Sequence, residues 1–168
     1  RTLSLTLLFC LSFALTASLS LRRGLPLPAV HDEFSYLLAA DTFSHFRATN
    51  PPHPFWPHFE TIHVIHQPTY ASKYPPAQGH FMAAGQITLG LPIAGVWLTT
   101  ALAVAAVTWA LTSLFPRRWA YVGGIITAFH PLTLLWSQEY WGGAVPMLGG
   151  ALLLGGALRL LRRPRTTD

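Results

Sequence analysis

The residues best suited to chemistry in this sequence are two adjacent acids, Asp32 and Glu33, at the start of an amphipathic stretch. A carboxylate in this position can act as a general base that removes a proton from an acceptor hydroxyl. The pair also suits a structural task, with Asp32 as a helix N-cap and Glu33 as a first-turn acid favoured by the helix dipole. The spacing leaves both interpretations open.

Lys73 and Tyr74 are candidates for substrate binding. Lys73 is the single lysine of the chain and the one Lys or Arg between Arg47 and Arg117. A lone cation beside a tyrosine at a membrane interface can bind a lipid phosphate as a point charge. The alternative is that Lys73 only anchors the loop, with its alkyl stem along an apolar surface.

A proline-rich stretch around Glu60 carries four histidines at intervals of five, five and three residues: His53, His58, His63 and His66. These intervals match no zinc motif of fixed spacing, so the four are weak candidates for a divalent metal ion and no metal is assigned. Surface hydrogen bonding is the alternative. Trp56, in the same stretch, can stack on a sugar ring or pack the loop against the membrane.

Glu139 lies in a short aromatic segment, Ser137–Gly143, and is the single acid between Glu60 and Asp168. An acid at a helix end that faces the same surface as Asp32 can contact a substrate there. The structural alternative is a helix-end acid in an interfacial turn. Glu139 is therefore a substrate-binding candidate.

The composition indicates a membrane protein. Of 168 residues only 10% are charged and 51% are hydrophobic, and the mean hydropathy is +0.38. Soluble domains typically carry about 25% charged residues. The apolar content argues against disorder, and the single cysteine, Cys10, argues against a disulfide scaffold. A multi-span membrane protein is the class that remains.

Charge-free runs divide the chain, because an apolar helix needs about 20 residues to cross a bilayer. They predict an all-α membrane protein, one membrane domain over 1–168, with four spans: 2–21, 93–115, 119–136 and 144–161. Pro92 interrupts the longest run, so 77–91 is predicted as an interfacial helix. Residues 25–79 form a long outer loop that contains the amphipathic helix Glu33–Ala48. The predicted apolar face of that helix consists of Phe34, Leu37, Leu38, Phe43 and Phe46.

Basic residues predict which side of the membrane the loop faces. Arg117–Arg118 and the arginines of 159–165 are expected in the cytoplasm, which leaves the loop 25–79 and the turn Ser137–Gly143 outside. Arg22–Arg23 opposes this arrangement. A cleaved signal peptide is the alternative to the first span.

This arrangement resembles the N-terminal part of bacterial GT-C membrane glycosyltransferases, the relatives of protein O-mannosyltransferases and aminoarabinose transferases. The resemblance covers residues 1–165. Asp32–Glu33 opens the outer loop and the element Lys73-Tyr74-Pro75-Pro76 closes it. A span ending at Arg117–Arg118 and another ending at Ser137-Gln138-Glu139 complete the pattern.

The resemblance implies inverting transfer of a hexosyl or pentosyl group from a polyprenyl-phosphate donor to an acceptor outside a bacterial inner membrane. It implies Asp32 as general base with Glu33 as its partner, Lys73 near the lipid phosphate, and Glu139 as a looser match. Tyr74 is one extra residue within the family's Lys-Pro-Pro element. Family members have many more spans, so we expect this chain to be an N-terminal piece of a longer enzyme.

The expected partners are membrane lipid and the lipid-linked sugar, with no nucleic acid and with the acceptor left open. No cofactor is assigned, and a divalent metal ion is an alternative ligand. The competing function is a small non-catalytic membrane protein whose histidine-rich loop binds a metal or a partner. An Asp32→Asn substitution separates the two, since it removes transfer in the first case and changes little in the second.

Overall fold

Prolines and a glycine set several helix ends. In the computed structural model, which describes residues 2–162, Pro76, Pro92 and Pro131 each take the first helical position, where a missing N–H costs nothing. Gly90 follows the third helix with φ of +70°, a conformation that favours glycine. The α-helices of the described chain are α1 (Thr2–Arg23), α2 (His31–Ser44), α3 (Pro76–Leu89), α4 (Pro92–Leu111), α5 (Arg117–Phe129), α6 (Pro131–Trp136) and α7 (Ala144–Leu161).

Three of these helices, α1, α4 and α7, are long and apolar enough to cross a membrane. Helix α4 is the most buried of the three and packs against α1, α3, α5 and α7. The described chain is mostly helical, so the prediction of an all-α fold is confirmed. Arg163 and Arg165 of the C-terminal basic group lie outside the described residues.

The stretch predicted as the third span, 119–136, is divided between α5 and α6. The ring of Pro131 disfavours the helical conformation for the residue before it, and His130 has φ −63° and ψ 133°. Nδ1 of His130 accepts a hydrogen bond from the backbone N–H of Leu132 at 3.3 Å, which caps α6. The described residues thus hold three helices of span length where the sequence predicts four, and a crossing by 119–136 stays a prediction.

Helix α2 begins earlier than the sequence predicts, and its fully buried residues are not those of the predicted apolar face, although Leu37 of that face packs against the core. Val30, rather than Asp32, is the N-cap, so Asp32 lies inside the first turn. Phe46, in the predicted apolar face, lies past the end of the helix and is 90% exposed. The buried residues are Glu33, Ser35, Ala39, Ala40 and Thr42. Small side chains are needed here because α2 approaches α3 closely: a Cβ built on Gly79 would lie 2.7 Å from Cβ of Ala39.

The segment between α2 and α3 contains a small antiparallel ribbon that the sequence does not predict. Strand β1 (Val64–Ile65) pairs with β2 (Ala71–Ser72), with Val64 opposite Ser72. An isolated bridge between Asn50 and Tyr70 extends the pairing. The ribbon packs on α2, so it brings the middle of the loop next to the first turns of that helix.

Buried polar side chains join the helices at the end of the bundle where α2 lies. Nε1 of Trp97 on α4 donates to Oγ of Ser20 on α1 at 3.1 Å. Nε2 of Gln138, just after α6, donates to the carbonyl of Thr16 at 3.2 Å. These bonds fix α1, α4 and the segment after α6 relative to one another, and the candidate site is built on that frame.

Candidate functional site

Asp32 is the centre of a polar cluster of three side chains. Its Oδ1 accepts a hydrogen bond from the hydroxyl of Tyr74 and lies 2.6 Å from Nδ1 of His63. The His63 nitrogen and the Tyr74 oxygen are 2.7 Å apart. The side chain of Asp32 is 30% exposed and that of His63 is 21% exposed, so the carboxylate is held in place while a ligand can still reach it.

Two serines position the partners of Asp32. Oγ of Ser35, one turn along α2, donates to the carbonyl of His63 at 2.6 Å and lies 2.8 Å from Oγ of Ser72. The backbone N–H of Tyr74 donates to the same Ser72 oxygen at 3.2 Å. The helix, the residue before β1 and the residues after β2 are thereby tied together, and the cluster has a defined geometry.

Tyr74 is a hydrogen-bond donor at neutral pH. The hydrogen bond to Asp32, with a smaller effect of burial, raises the pKa of Tyr74 to about 12. The ring of Tyr36 stacks on the ring of Tyr74 with centroids 4.8 Å apart. Burial, and then the charge of Asp32, raises the pKa of Tyr36. Both phenols therefore stay neutral beside the carboxylate.

Glu33 has a different environment from its neighbour. Its side chain is 3% exposed, and its Oε2 accepts from the backbone N–H groups of Ala29 at 2.7 Å and Val30 at 3.3 Å. Its Oε1 accepts from the N–H of Tyr140 at 2.8 Å. Glu33 thus ties the start of α2 to the turn before α7, which fixes where Asp32 is presented.

Lys73 lies beside the cluster and is exposed. Its Nζ is 5.8 Å from the ring centroid of Tyr74, the residue that donates to Asp32. A flexible cation next to a carboxylate at the protein surface can bind a phosphate group while the carboxylate handles a proton.

The other two substrate-binding candidates lie apart from these contacts. Oε2 of Glu139 accepts a hydrogen bond from Nε1 of Trp141, two residues along the chain. Trp56 stacks on His66 with ring centroids 6.4 Å apart, within the segment between α2 and α3. Among the contacts of the described residues, neither side chain bonds to Asp32, His63 or Tyr74.

The four histidines are not gathered around one point. Nδ1 of His63 lies 2.6 Å from Asp32, while the rings of His53 and Phe59 are perpendicular with centroids 5.3 Å apart. His66 packs between Trp56 and Tyr70. Within residues 2–162 there is no group of three or more histidine, cysteine or acidic side chains that could hold a metal ion.

Sequence reasoning missed the roles of His63, Ser35 and Tyr36. The positions of Ser35 and Tyr36 could have been predicted from their spacing, since they lie three and four residues after Asp32 and share its side of α2. His63 has no comparable signal, because its approach to Asp32 depends on how the ribbon docks onto α2.

Comparison with known protein families, curated proteins and solved structures finds no match to this chain. The functional argument therefore depends on the geometry around Asp32.

Proposed function

We propose that this chain binds a polyprenyl-phosphate sugar at the outer face of the membrane that it spans and takes part in transferring the sugar to an acceptor hydroxyl. The observation that carries the proposal is the partly exposed Asp32 carboxylate, held by His63 and Tyr74 beside the cation Lys73. This arrangement supplies a base and a phosphate-binding charge within one small surface. The resemblance to GT-C glycosyltransferases agrees with it.

In the proposed reaction the acceptor oxygen attacks the anomeric carbon of the donor on the side opposite the phosphate. The new carbon–oxygen bond forms as the bond from the anomeric carbon to the phosphate oxygen breaks, so the configuration inverts. Asp32 takes the proton of the acceptor hydroxyl. The bonding electrons leave with the polyprenyl phosphate, and Lys73 balances part of its charge.

The position of the cluster supports a lipid-linked substrate. Helix α2 follows α1 after a short segment, and Glu33 is bonded to Tyr140 just before α7. Both α1 and α7 are apolar helices of membrane-crossing length. If they cross a bilayer, the cluster lies at its surface, where a phosphate is in the headgroup layer and its isoprenoid chain is in the hydrocarbon.

The first test is Asp32→Asn in membranes that contain the full chain and a radiolabelled polyprenyl-phosphate mannose or aminoarabinose. We expect transfer of label to fall by at least about 100-fold, the usual contribution of a general base. The matched control is Asp41→Asn, an exposed acid on the same helix that pairs with His45 at 3.6 Å. Equal activity in wild type and Asp32→Asn contradicts the proposal, whereas a loss restricted to Asp32→Asn supports it.

A further inference from the structure

An open groove of about 700 Å³ lies between the end of α2 and one side of α3. The α3 residues that line it include Pro76, His80, Ala84 and Ile87, which recur every three or four positions and so form one stripe along the helix. The volume is within the range of ligand-binding sites. The stripe is polar at His80 and apolar from Ala84 to Ile87, an arrangement that suits an amphiphilic ligand.

The apolar part of the groove is open to its surroundings. Ile87 is 53% exposed, and Ala84 is exposed as well. Phe46, which lines the groove from the α2 side, has φ of +56°, a conformation that is uncommon for a bulky residue, and is 90% exposed. A concave surface with exposed apolar side chains is typical of a site that an apolar partner covers.

Arg47 adds a positive charge to the same groove. It is exposed, and among residues 2–162 no acidic side chain forms an ion pair with it. A guanidinium group offers paired N–H donors that match the oxygens of a phosphate group. The groove therefore combines an apolar surface with a cation that has no counter-ion from the described chain.

His80 adds a hydrogen-bond acceptor. Its Nδ1 lies 2.8 Å from the carbonyl oxygen of Pro76, and because a carbonyl only accepts, Nδ1 carries the proton. In the neutral ring Nε2 is then an acceptor. The ring stacks on Phe43 with centroids 4.1 Å apart, which fixes its plane against α2, while the residue as a whole stays exposed. A hydroxyl group of a ligand can donate to Nε2.

The groove is separate from the Asp32 cluster. Asp32 lies in the first turn of α2 and Phe43 in its last turn. Eleven residues of helix at 1.5 Å per residue correspond to roughly 16 Å. One phosphate group therefore cannot contact both Asp32 and Arg47, so an anion in the groove belongs to a second ligand.

We infer that this groove binds an anionic membrane phospholipid. Arg47 binds the phosphate, His80 accepts a bond from a headgroup hydroxyl, and an acyl chain lies along Ala84 and Ile87. Phosphatidylglycerol has all three features, whereas phosphatidylcholine carries its own cation and has no headgroup hydroxyl. The inference requires a lipid bilayer around the chain but no sugar transfer, so it does not rest on the proposed reaction.

Native mass spectrometry of the full chain in a non-ionic detergent can compare added phosphatidylglycerol with phosphatidylcholine of identical acyl chains. We expect wild type to bind phosphatidylglycerol about tenfold more tightly, the equivalent of one good charge-assisted hydrogen bond. Arg47→Gln is expected to remove this preference. Arg22→Gln, at an exposed arginine in the last turn of α1, removes the same charge elsewhere and is expected to keep the preference.

A second variant tests the apolar part of the groove. Ala84→Trp places a large side chain in the groove and leaves Arg47 and His80 in place. We expect it to weaken the binding of both phospholipids by about tenfold, because the acyl chain loses its apolar contact.

Three results would overturn the inference. They are equal affinity of wild type for the two phospholipids, a preference that survives in Arg47→Gln, and displacement of phosphatidylglycerol by an equal concentration of polyprenyl phosphate. The last result would assign the groove to the donor lipid. Loss of the preference in Arg47→Gln alone, without displacement, supports the phospholipid site. Because Arg47 is exposed, Arg47→Gln decides the question even if Ala84→Trp does not fold, and the Asp32→Asn transfer assay is independent of either outcome.

Discussion

The two ends of α7 both place charged groups beside aromatic rings, but the groups are arranged differently. Before α7 begins, Glu33 is bonded to Tyr140, and the neighbouring Asp32 is partly exposed. Near the other end, the guanidinium of Arg159 lies 3.8 Å from the ring centroid of Trp109 on α4. Its nitrogens donate to the carbonyls of Trp109 and Gly155 and to Oγ1 of Thr112.

The comparison distinguishes charged side chains that stabilise the fold from one, Asp32, that is free to react with a ligand. The hydrogen bonds of Arg159 go to backbone carbonyls and a hydroxyl of two packed helices, so its charge stabilises the contact of α4 with α7. Glu33 is likewise surrounded by backbone N–H groups. Asp32 is instead held by side chains from a loop and keeps an exposed part. The groups that each charge contacts, rather than the charge itself, distinguish Asp32, the candidate base, from Glu33 and Arg159.

The largest expected effect on stability comes from Glu33→Gln. The substitution replaces a buried carboxylate that accepts three backbone N–H bonds with an amide that cannot accept all of them. We expect the free energy of unfolding to fall by about 3 kcal/mol. Reversible unfolding in mixed detergent micelles measures it.

Asp32→Asn is the comparison variant for that measurement. Because Asp32 is partly exposed, we expect Asp32→Asn to lower the free energy of unfolding by about 1 kcal/mol. Sugar transfer is expected to be lost in the same variant. A larger stability loss for Asp32→Asn than for Glu33→Gln would contradict the division of roles between the two acids.

A second prediction concerns the opposite end of α7. Arg159→Met removes the cation over Trp109 and its hydrogen bonds, and is expected to lower the free energy of unfolding by about 2 kcal/mol. Sugar transfer by the folded fraction should not change. Arg162→Met, an exposed arginine at the end of the same helix, is the control and should cost less than about 0.5 kcal/mol. A loss of transfer in folded Arg159→Met would show that this end also takes part in function.

Part of this organisation could be predicted from the sequence. Charge-free runs locate the three long apolar helices, and the residues Asp32 and Tyr74, named in separate motifs, lie in one cluster. The break before Pro131 is also a local signal, because a proline restricts the residue that precedes it. The predicted apolar face of α2 is correct only in part: Leu37 packs against the buried core cluster, whereas Phe34 and Phe46 are exposed.

The contacts across long chain separations could not be predicted. His63 comes close to Asp32 because the ribbon docks onto α2, and strands of only two residues each carry no periodic signal in the sequence. The buried bond from Glu33 to Tyr140 joins segments more than 100 residues apart. The partner of Glu139 is a tryptophan two positions away, and spacing alone does not show which of its neighbours an acid will bind.

The smallest expected effect is a change in alkaline stability on removing the Tyr74 hydroxyl. The pKa of Tyr74 is raised from 10.0 to about 12 in the folded protein, so folding favours the protonated phenol. This contribution is fully present below pH 10 and is lost as the pH rises from about 10 to about 12. Tyr74→Phe should therefore show a shallower loss of thermal stability than wild type across that window, with one late-titrating phenol fewer in the absorbance spectrum. Tyr70→Phe, in the same loop, is the matched control. If wild type and Tyr74→Phe lose stability equally across this pH window, Tyr74 does not donate to Asp32. The distinction between Asp32 and the buried charges of Glu33 and Arg159 is then weakened, because Asp32 would lack one of the side chains that hold it.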